Sequence, residues 1–455
     1  MDPIVKYVRE NKDRFIKEME EVLRIPSVST LPEHIQDMHS CAELLKKKLL
    51  DAGMSKAEIF QTEGHPVVYA EWMGAPGKPT VLVYGHYDVQ PVDSDSGEWF
   101  TPPFEPVIKD GKIFARGATD DKGQLYTHVK GIETLFKTTG SLPLNVKVIF
   151  EGEEEIGSPN LVPFLNRYKK MLACDAVVIS DTSLFAPMLP TITYGLRGLA
   201  YMEVEVLGPS KDLHSGSFGG SVVNPVNALA KMIASLHDKK GKVTIPGFYD
   251  DVVPLSAMER KVYKTLPYSE KGFAKEAGVQ VLDGEAGYST LERIWARPTL
   301  DCNGIVGGFT GAGAKTIIPA KASAKISMRL VANQDPKKIA ALFTKHIKAI
   351  APQGVKVNVK SLHGGSPALT PLDAKATKAA AIAMEKAFGK KTVFVREGGS
   401  IPIVVSFGKI LKAPAVLMGF GLNSENLHSP NEHFSLKHFE LGVISSAYFM
   451  KEFAQ

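Results

Sequence analysis

The chain has 455 residues, 44% hydrophobic and 23% charged, the make-up of a globular protein large enough for two or three domains. A net charge of +5 is slight at this length, and no Lys/Arg block is interleaved with aromatics, which excludes a nucleic-acid surface. No apolar run reaches membrane-spanning length, charges interrupt MDPIVKYVRENKDRF, and the 3 cysteines are scattered; the expectation is a cytoplasmic protein with no membrane partner, no disulfide framework and no thiolate metal site.

Residues 3–24 have the spacing of an amphipathic helix closed by Ile25-Pro26-Ser27, and residues 34–52 that of a second helix stopping at Gly53. Two apolar runs follow, Val67 to Trp72 and Thr80 to Gly85. The second is apolar or small at nearly every position, as a central strand covered on both faces would be. It leads into YGHYDVQPV, where His86 and Asp88 project to one side if the strand persists. After a polar loop, 93–106, ARGATDDKGQ puts Asp120 and Asp121 at the start of a helix reaching about Lys137, where either acid can serve as N-cap.

The next strand, Val146 to Phe150, ends in EGEEEIGS. Glu151, Glu153, Glu154 and Glu155 are crowded there, and like charges so close repel unless a cation lies between them. A solvated acidic turn is the alternative. A further run, Ala176 to Ile179, ends in Ser180-Asp181. Strand ends thus repeatedly deliver acid or imidazole, as expected of a site beyond the carboxyl edge of an α/β sheet.

From about Gly198 the texture changes. Tyr201 to Val206, Ser323 to Leu330 and Val355 to Leu362 alternate polar and apolar residues, with helices at about 222–238 and 336–350. Residues 240–300 read as an insertion with about two short helices. From Asp373 the first pattern returns: a helix to Phe388, a strand near Val393, a helix from about Pro402, a strand from Pro414 to Gly421 and a closing helix from Leu436. The 414–421 strand runs into NSENLHSPNEHF, which sets Glu425, His428 and His433 beyond its end. The expected fold is α/β: a discontinuous domain, 1–196 and 369–455, whose mixed sheet is covered by helices, plus an inserted α+β domain, 197–368.

His86 and His428 with the carboxylates Asp120, Glu155 and Asp181 form an N/O ligand set that suits zinc, with manganese as the alternative. Five ligands exceed one tetrahedral ion, so two ions sharing a carboxylate are expected. Such a pair polarises a carbonyl and lowers the pKa of a water between the ions. A hydrolase also needs a base that is not a ligand, and Glu154 and Glu155 can divide these roles.

YGHYDVQPV, ARGATDDKG, EGEEEIGS, VISDTS, DLHSGSFGG, SMRLVANQ, REGGSIP and NSENLHSPNE, in this order over essentially the whole chain, resemble the M20 family of di-zinc metallopeptidases. The resemblance is greatest to its dipeptidase branch, of the cytosolic non-specific dipeptidase and carnosinase type. It implies a zinc-peptidase catalytic domain and an inserted lid and dimerisation domain. It makes His86 and Asp181 ligands of one metal, Glu155 and His428 ligands of the other, and Asp120 the bridging carboxylate, joined to Asp121 by a non-proline cis peptide. Asp88 would orient His86, and Glu154 would be the general base. Glu151 and Glu153 remain as local charge, and Glu153 stands where relatives are often apolar.

In the inserted domain, the resemblance implies that His214 of DLHSG reaches the partner subunit's active site in a homodimer and stabilises the oxyanion. Arg329, His363 and Ser400 would bind the substrate's C-terminal carboxylate, for which a guanidinium fork is suited. The function so implied is hydrolysis of dipeptides. Two alternatives are an N-acyl amino acid deacylase of the acetylornithine or succinyl-diaminopimelate type, and a catalytically silent metal-binding dimer.

Overall fold

The computed structural model describes residues 2–92, 97–399 and 401–455. They form two compact units: Met1–Tyr194 with Thr370–Val395 and Ile403–Gln455, and Gly195–Leu369 with Arg396–Pro402. Residues 396–402 lie in the second unit, whereas the sequence pattern assigned 369–455 to the first. The physical reason is local pairing: Arg396 bonds Glu259, and Arg197 donates to the carbonyls of Gly398 (Nε, 3.2 Å) and Gly399 (N–H, 3.1 Å).

The first unit is a mixed sheet covered by helices. Its strands run in the order Lys56–Phe60, Val67–Trp72, Asn145–Glu151, Thr80–His86, Ala176–Ile179, Ala415–Leu417 and Thr191–Leu196. The four central strands are mutually parallel and the flanking pairs antiparallel. Thr80–His86 is buried almost throughout, as its unbroken apolar run requires. Alternate residues such as Val81, Val83, Val146, Val148 and Phe150 join a core with helices that include Ile35–Asp51, Lys122–Thr139, Lys375–Phe388 and Leu436–Phe453. On the opposite face the Tyr84 ring meets Phe407 edge-on at 5.3 Å.

Two local features depart from the sequence pattern. The helix expected over 3–24 is two helices, Pro3–Glu10 and Lys12–Leu23. Asn11 between them leaves helical dihedrals (φ −107°, ψ 6°) and its side chain donates to Tyr7 O at 3.0 Å, the local competition that makes Asn a helix interrupter. The strand expected over 414–421 is only Ala415–Leu417. Gly419 comes so near Thr182 that a Cβ would lie 1.8 Å from its carbonyl oxygen, and the ladder ends there.

In the second unit, Thr299–Gly307, Lys321–Leu330, Gly198–Leu207 and Lys356–Gly365 form an antiparallel sheet in that order. Its apolar face (Met202, Val204, Ile326, Met328) packs on Leu229 and Met232 of helix Pro225–Ala234 and on Ile339 and Phe343 of helix Pro336–Ile350. The first of these helices is shorter than the expected 222–238, because Asn224 caps it and Pro225 opens it. The 240–300 insertion holds three helices, Ala257–Thr265, Glu270–Glu276 and Thr290–Ala296. Two of them start in capping boxes, Ser256/Glu259 and Ser289/Glu292.

Candidate metal centre

The site is assembled at the carboxyl edge of the first unit's parallel strands. Thr80–His86 pairs with Asn145–Glu151, His86 opposite Glu151, and with Ala176–Ile179, Tyr84 opposite Ile179. Strand register therefore gathers His86, the glutamates after Glu151, and Asp181. Gly85 is required by the crowding, since a Cβ there would lie 2.8 Å from Leu125 Cβ and 2.9 Å from Asp121 Oδ2. That approach lets Asp121 Oδ2 accept the His86 N–H at 3.2 Å. Asp121 occupies the N-cap position of helix Lys122–Thr139, yet its side chain makes no cap bond, and its peptide bond to Asp120 is cis.

Among the described residues two groups of potential ligand atoms emerge: His86, Asp120 and Asp181, and Asp120, Glu155 and His428. Within each group the atoms lie within 4.8 Å of one another. Asp120 belongs to both, with Oδ1 3.0 Å from His86 Nε2 and Oδ2 2.8 Å from His428 Nε2. Glu155 Oε2 is 3.3 Å from His428 Nε2 and accepts Gln90 Nε2 at 2.6 Å. His428 holds a left-handed φ of 56°, a strained conformation for a non-glycine residue, in a turn closed by Ser429 N–H on Asn426 O at 3.0 Å.

Asp88 braces both sides of the site. Its Oδ1 and Oδ2 accept the N–H groups of Glu154 and Glu155, each at 3.1 Å. His86 Nδ1 lies 3.1 Å from the Asp88 carbonyl and 3.4 Å from its Oδ1, so the backbone oxygen is the nearer acceptor for the ring. Glu154 is half-buried within the short helical turn Glu154–Ile156 and belongs to neither ligand group.

Negative charge is in excess here. Burial, with neighbouring carboxylates Glu155, Asp120 and Asp88, pushes Glu154 up to about 7. Burial together with Asp120, Asp121 and Glu154 drives Asp181 well above the carboxylate range. Burial opposes charge on His86, but Asp120, Asp88 and Asp181 outweigh it and hold the ring well above its usual value. Hydrogen bonds to Asp120 and Glu155 lift His428 to about 10. His86 Nε2 is buried and makes no aligned hydrogen bond despite the 3.0 Å approach of Asp120. One carboxylate, Asp120, with an imidazole nitrogen at each of its oxygens, in a set of N and O donors with surplus negative charge, fits divalent cations.

The remaining acids are structural. Glu153 accepts His65 N–H (3.0 Å) and both the N–H and Nδ2 of Asn160 (3.2 and 3.0 Å). Glu151 accepts Tyr84 Oη (2.6 Å) and Ser158 Oγ (2.9 Å). Glu425 accepts Leu422 N–H and Ser435 N–H at 2.8 and 3.0 Å. His433 lies outside both ligand groups, on the strand His433–Ser435 opposite Phe114. Glu432, not singled out from the sequence, is fully buried beside the Asp120 loop, and its presence in the NSENLHSPNE segment was the signal available.

In the second unit, His214 is exposed and its Nδ1 accepts Gly216 N–H at 3.0 Å, which leaves the proton on Nε2. Arg329 lies opposite Leu199 across the sheet, and His363 lies opposite Tyr201, their rings 5.0 Å apart. A second guanidinium, Arg197, was passed over in the sequence; burial first and the Arg329 charge second pull it down to about 10. Ser400 lies outside the described residues.

A model of peptidase family M20/M25/M40 matches residues 82–452. The Cys-Gly metallodipeptidase dug1 of Schizosaccharomyces pombe is 35% identical over 97% of this chain and 96% of its own. Among solved structures, human carnosine dipeptidase 1 superposes with a TM-score of 0.83 at 31% identity, covering 99% of this chain and 98% of that one. The M20 family metallo-carboxypeptidase Sso-CP2 from Sulfolobus solfataricus gives 0.84 at 34% identity, over 97% and 99% of the two chains.

Proposed function

This chain belongs to peptidase family M20/M25/M40, and on that premise we propose that it is a metal-dependent dipeptidase, hydrolysing dipeptides with a free C-terminal carboxylate. The observation that carries the reading is the pair of ligand groups sharing Asp120, with Glu154 beside them and in neither. Kinship to a Cys-Gly metallodipeptidase and to carnosine dipeptidase supports dipeptides as substrates.

His86, Asp120 and Asp181 would hold one ion, and Asp120, Glu155 and His428 the other; Zn2+ is the first expectation and Mn2+ the second. Bound there, the ions supply Lewis acidity to the scissile carbonyl and acidify the attacking water. Glu154 takes a proton from that water as its oxygen adds to the carbonyl carbon, then delivers it to the amine as the C–N bond breaks. Asp88 keeps Glu154 and Glu155 in register through their backbone N–H groups.

Arg329, with His363 and Ser400, binds the substrate carboxylate and so limits cleavage to short substrates. His214 of the inserted lid and dimerisation domain donates Nε2–H to the developing oxyanion in the partner subunit's site, which makes the working unit a homodimer. The three free cysteines accord with a reducing, cytoplasmic setting. Among the described residues no helix is long and apolar enough to cross a membrane.

The test compares a free dipeptide, its N-acetyl form and the matching N-acetyl amino acid, using zinc- or manganese-loaded protein. Cleavage of the free dipeptide alone is expected. Cleavage of the N-acetyl amino acid alone would make the chain a deacylase, and cleavage of the N-acetyl dipeptide a carboxypeptidase. Inertness toward all three would leave a silent metal-binding dimer.

A further inference from the structure

Glu432 has a fully buried carboxylate with four donors. Oε1 accepts the N–H groups of Thr119 (3.0 Å) and Asp120 (3.1 Å), and Oε2 accepts Gly117 N–H (3.0 Å) and Arg116 Nη1 (2.9 Å). The stretch from Arg116 to Asp121 belongs to no helix or strand, so these bonds replace the ladder that would otherwise fix it. The N–H of Asp120, one of the four donors, belongs to the residue whose two oxygens reach His86 and His428.

The same brace reaches the second imidazole. His428 and Glu432 share the loop after Gly421–Leu422, and the end of that loop is pinned to the 116–121 stretch again where Thr119 Oγ1 donates to the His433 carbonyl (2.7 Å), with Glu425 Oε2 3.1 Å from the same hydroxyl. A purely space-filling residue would not need both oxygens to accept two bonds each. Burying a carboxylate is costly unless it is paired and hydrogen-bonded, and here the guanidinium and three backbone N–H groups meet that cost while fixing one geometry.

We infer that Glu432 is the positioning residue that sets the Asp120 carboxylate astride the two ligand groups, and with it the spacing of the two ions; this rests on the two-ion reading above. In Glu432→Gln only one oxygen remains, and whichever way the amide turns, its NH2 faces two donors. Either Thr119 and Asp120 or Gly117 and Arg116 then lose their acceptor.

The experiment loads native protein and E432Q with Mn2+ and records electron paramagnetic resonance alongside a binding titration. Native protein should show the exchange-coupled spectrum of two manganese ions bridged by a carboxylate. E432Q should show the uncoupled six-line spectrum, with the second ion bound about tenfold to a hundredfold more weakly, the range found when residues supporting a metal ligand are lost. A coupled spectrum with native second-ion affinity in E432Q overturns the assignment, even if the variant melts earlier. Uncoupled manganese in the native protein overturns the two-ion reading and this role with it. If E432Q does not fold, Glu432→Asp, which keeps the charge but withdraws the carboxylate by one methylene, carries the same two expectations.

Discussion

Asp88 Oδ1 accepts the backbone N–H of Glu154 at 3.1 Å, and Oδ2 accepts that of Glu155 at the same distance. The residue expected to orient His86 thus also fixes the proposed base and a proposed ligand. Asp88→Asn would turn an amide NH2 toward one of those N–H donors. Metal affinity or turnover should drop about tenfold to a hundredfold, read by metal titration and steady-state kinetics. Native values for both would remove Asp88 from the site's support.

Glu154→Gln should lower kcat by about a hundredfold to ten-thousandfold, the usual contribution of a general base, while each chain keeps its metal. Metal content and turnover are measured on the same preparation. Loss of metal would make Glu154 a ligand and exchange its role with that of Glu155.

His214→Ala should abolish most turnover without weakening metal binding. Mixed with Glu154→Gln and allowed to exchange subunits, it should recover about a quarter of native activity, since half the dimers are mixed and each holds one complete site. No recovery after verified exchange would confine His214 to its own subunit or remove it from the reaction.

His128 makes a pH-dependent prediction away from the ligands. It is buried, with Nδ1 2.9 Å from Ser446 Oγ and Nε2 2.7 Å from Ser180 Oγ, and burial pulls its pKa from 6.5 to about 3. The unfolded chain binds the proton first, so the ring's contribution is complete above pH 6.5 and is lost as the pH falls toward 3. Glu18 is partly buried, which opposes its charge, but Lys130 and Arg14 prevail and hold it near 2, so its contribution is lost from pH 4.5 downward. Melting of metal-free protein in chelator should therefore show a shallower decline for His128→Gln than for native protein just below pH 6.5, and a difference for Glu18→Gln only at more acid pH. Parallel profiles for native and His128→Gln would show that the imidazole does not contribute.

Much of the candidate site was legible because its proposed ligands stand at or just beyond strand ends and helix starts, places that local pattern locates. The run Thr80–Gly85 marked a central strand, and His86 had to follow it; the same logic led to Asp120, Glu155, Asp181 and His428. Other local chemistry was present but unread. Ser256-Ala-Met-Glu259 and Ser289-Thr-Leu-Glu292 are capping boxes in the stretch that seemed least regular, and Asn224-Pro225 marks a helix start inside one drawn too long.

By itself the sequence determined the succession of elements, the division into two textures and the kinds of donor available, because periodicity and propensity are local properties. Tertiary structure decided what surrounds each carboxylate. Glu153, Glu154 and Glu155 are neighbours, yet one accepts His65 and Asn160, one is left to neither ligand group, and one faces His428. Glu432 gains a part in the site only because the fold brings Arg116, Gly117, Thr119 and Asp120 to it. A carboxylate's role depends on the donors that surround it, and those are supplied by strand register and loop contacts between residues far apart in the chain.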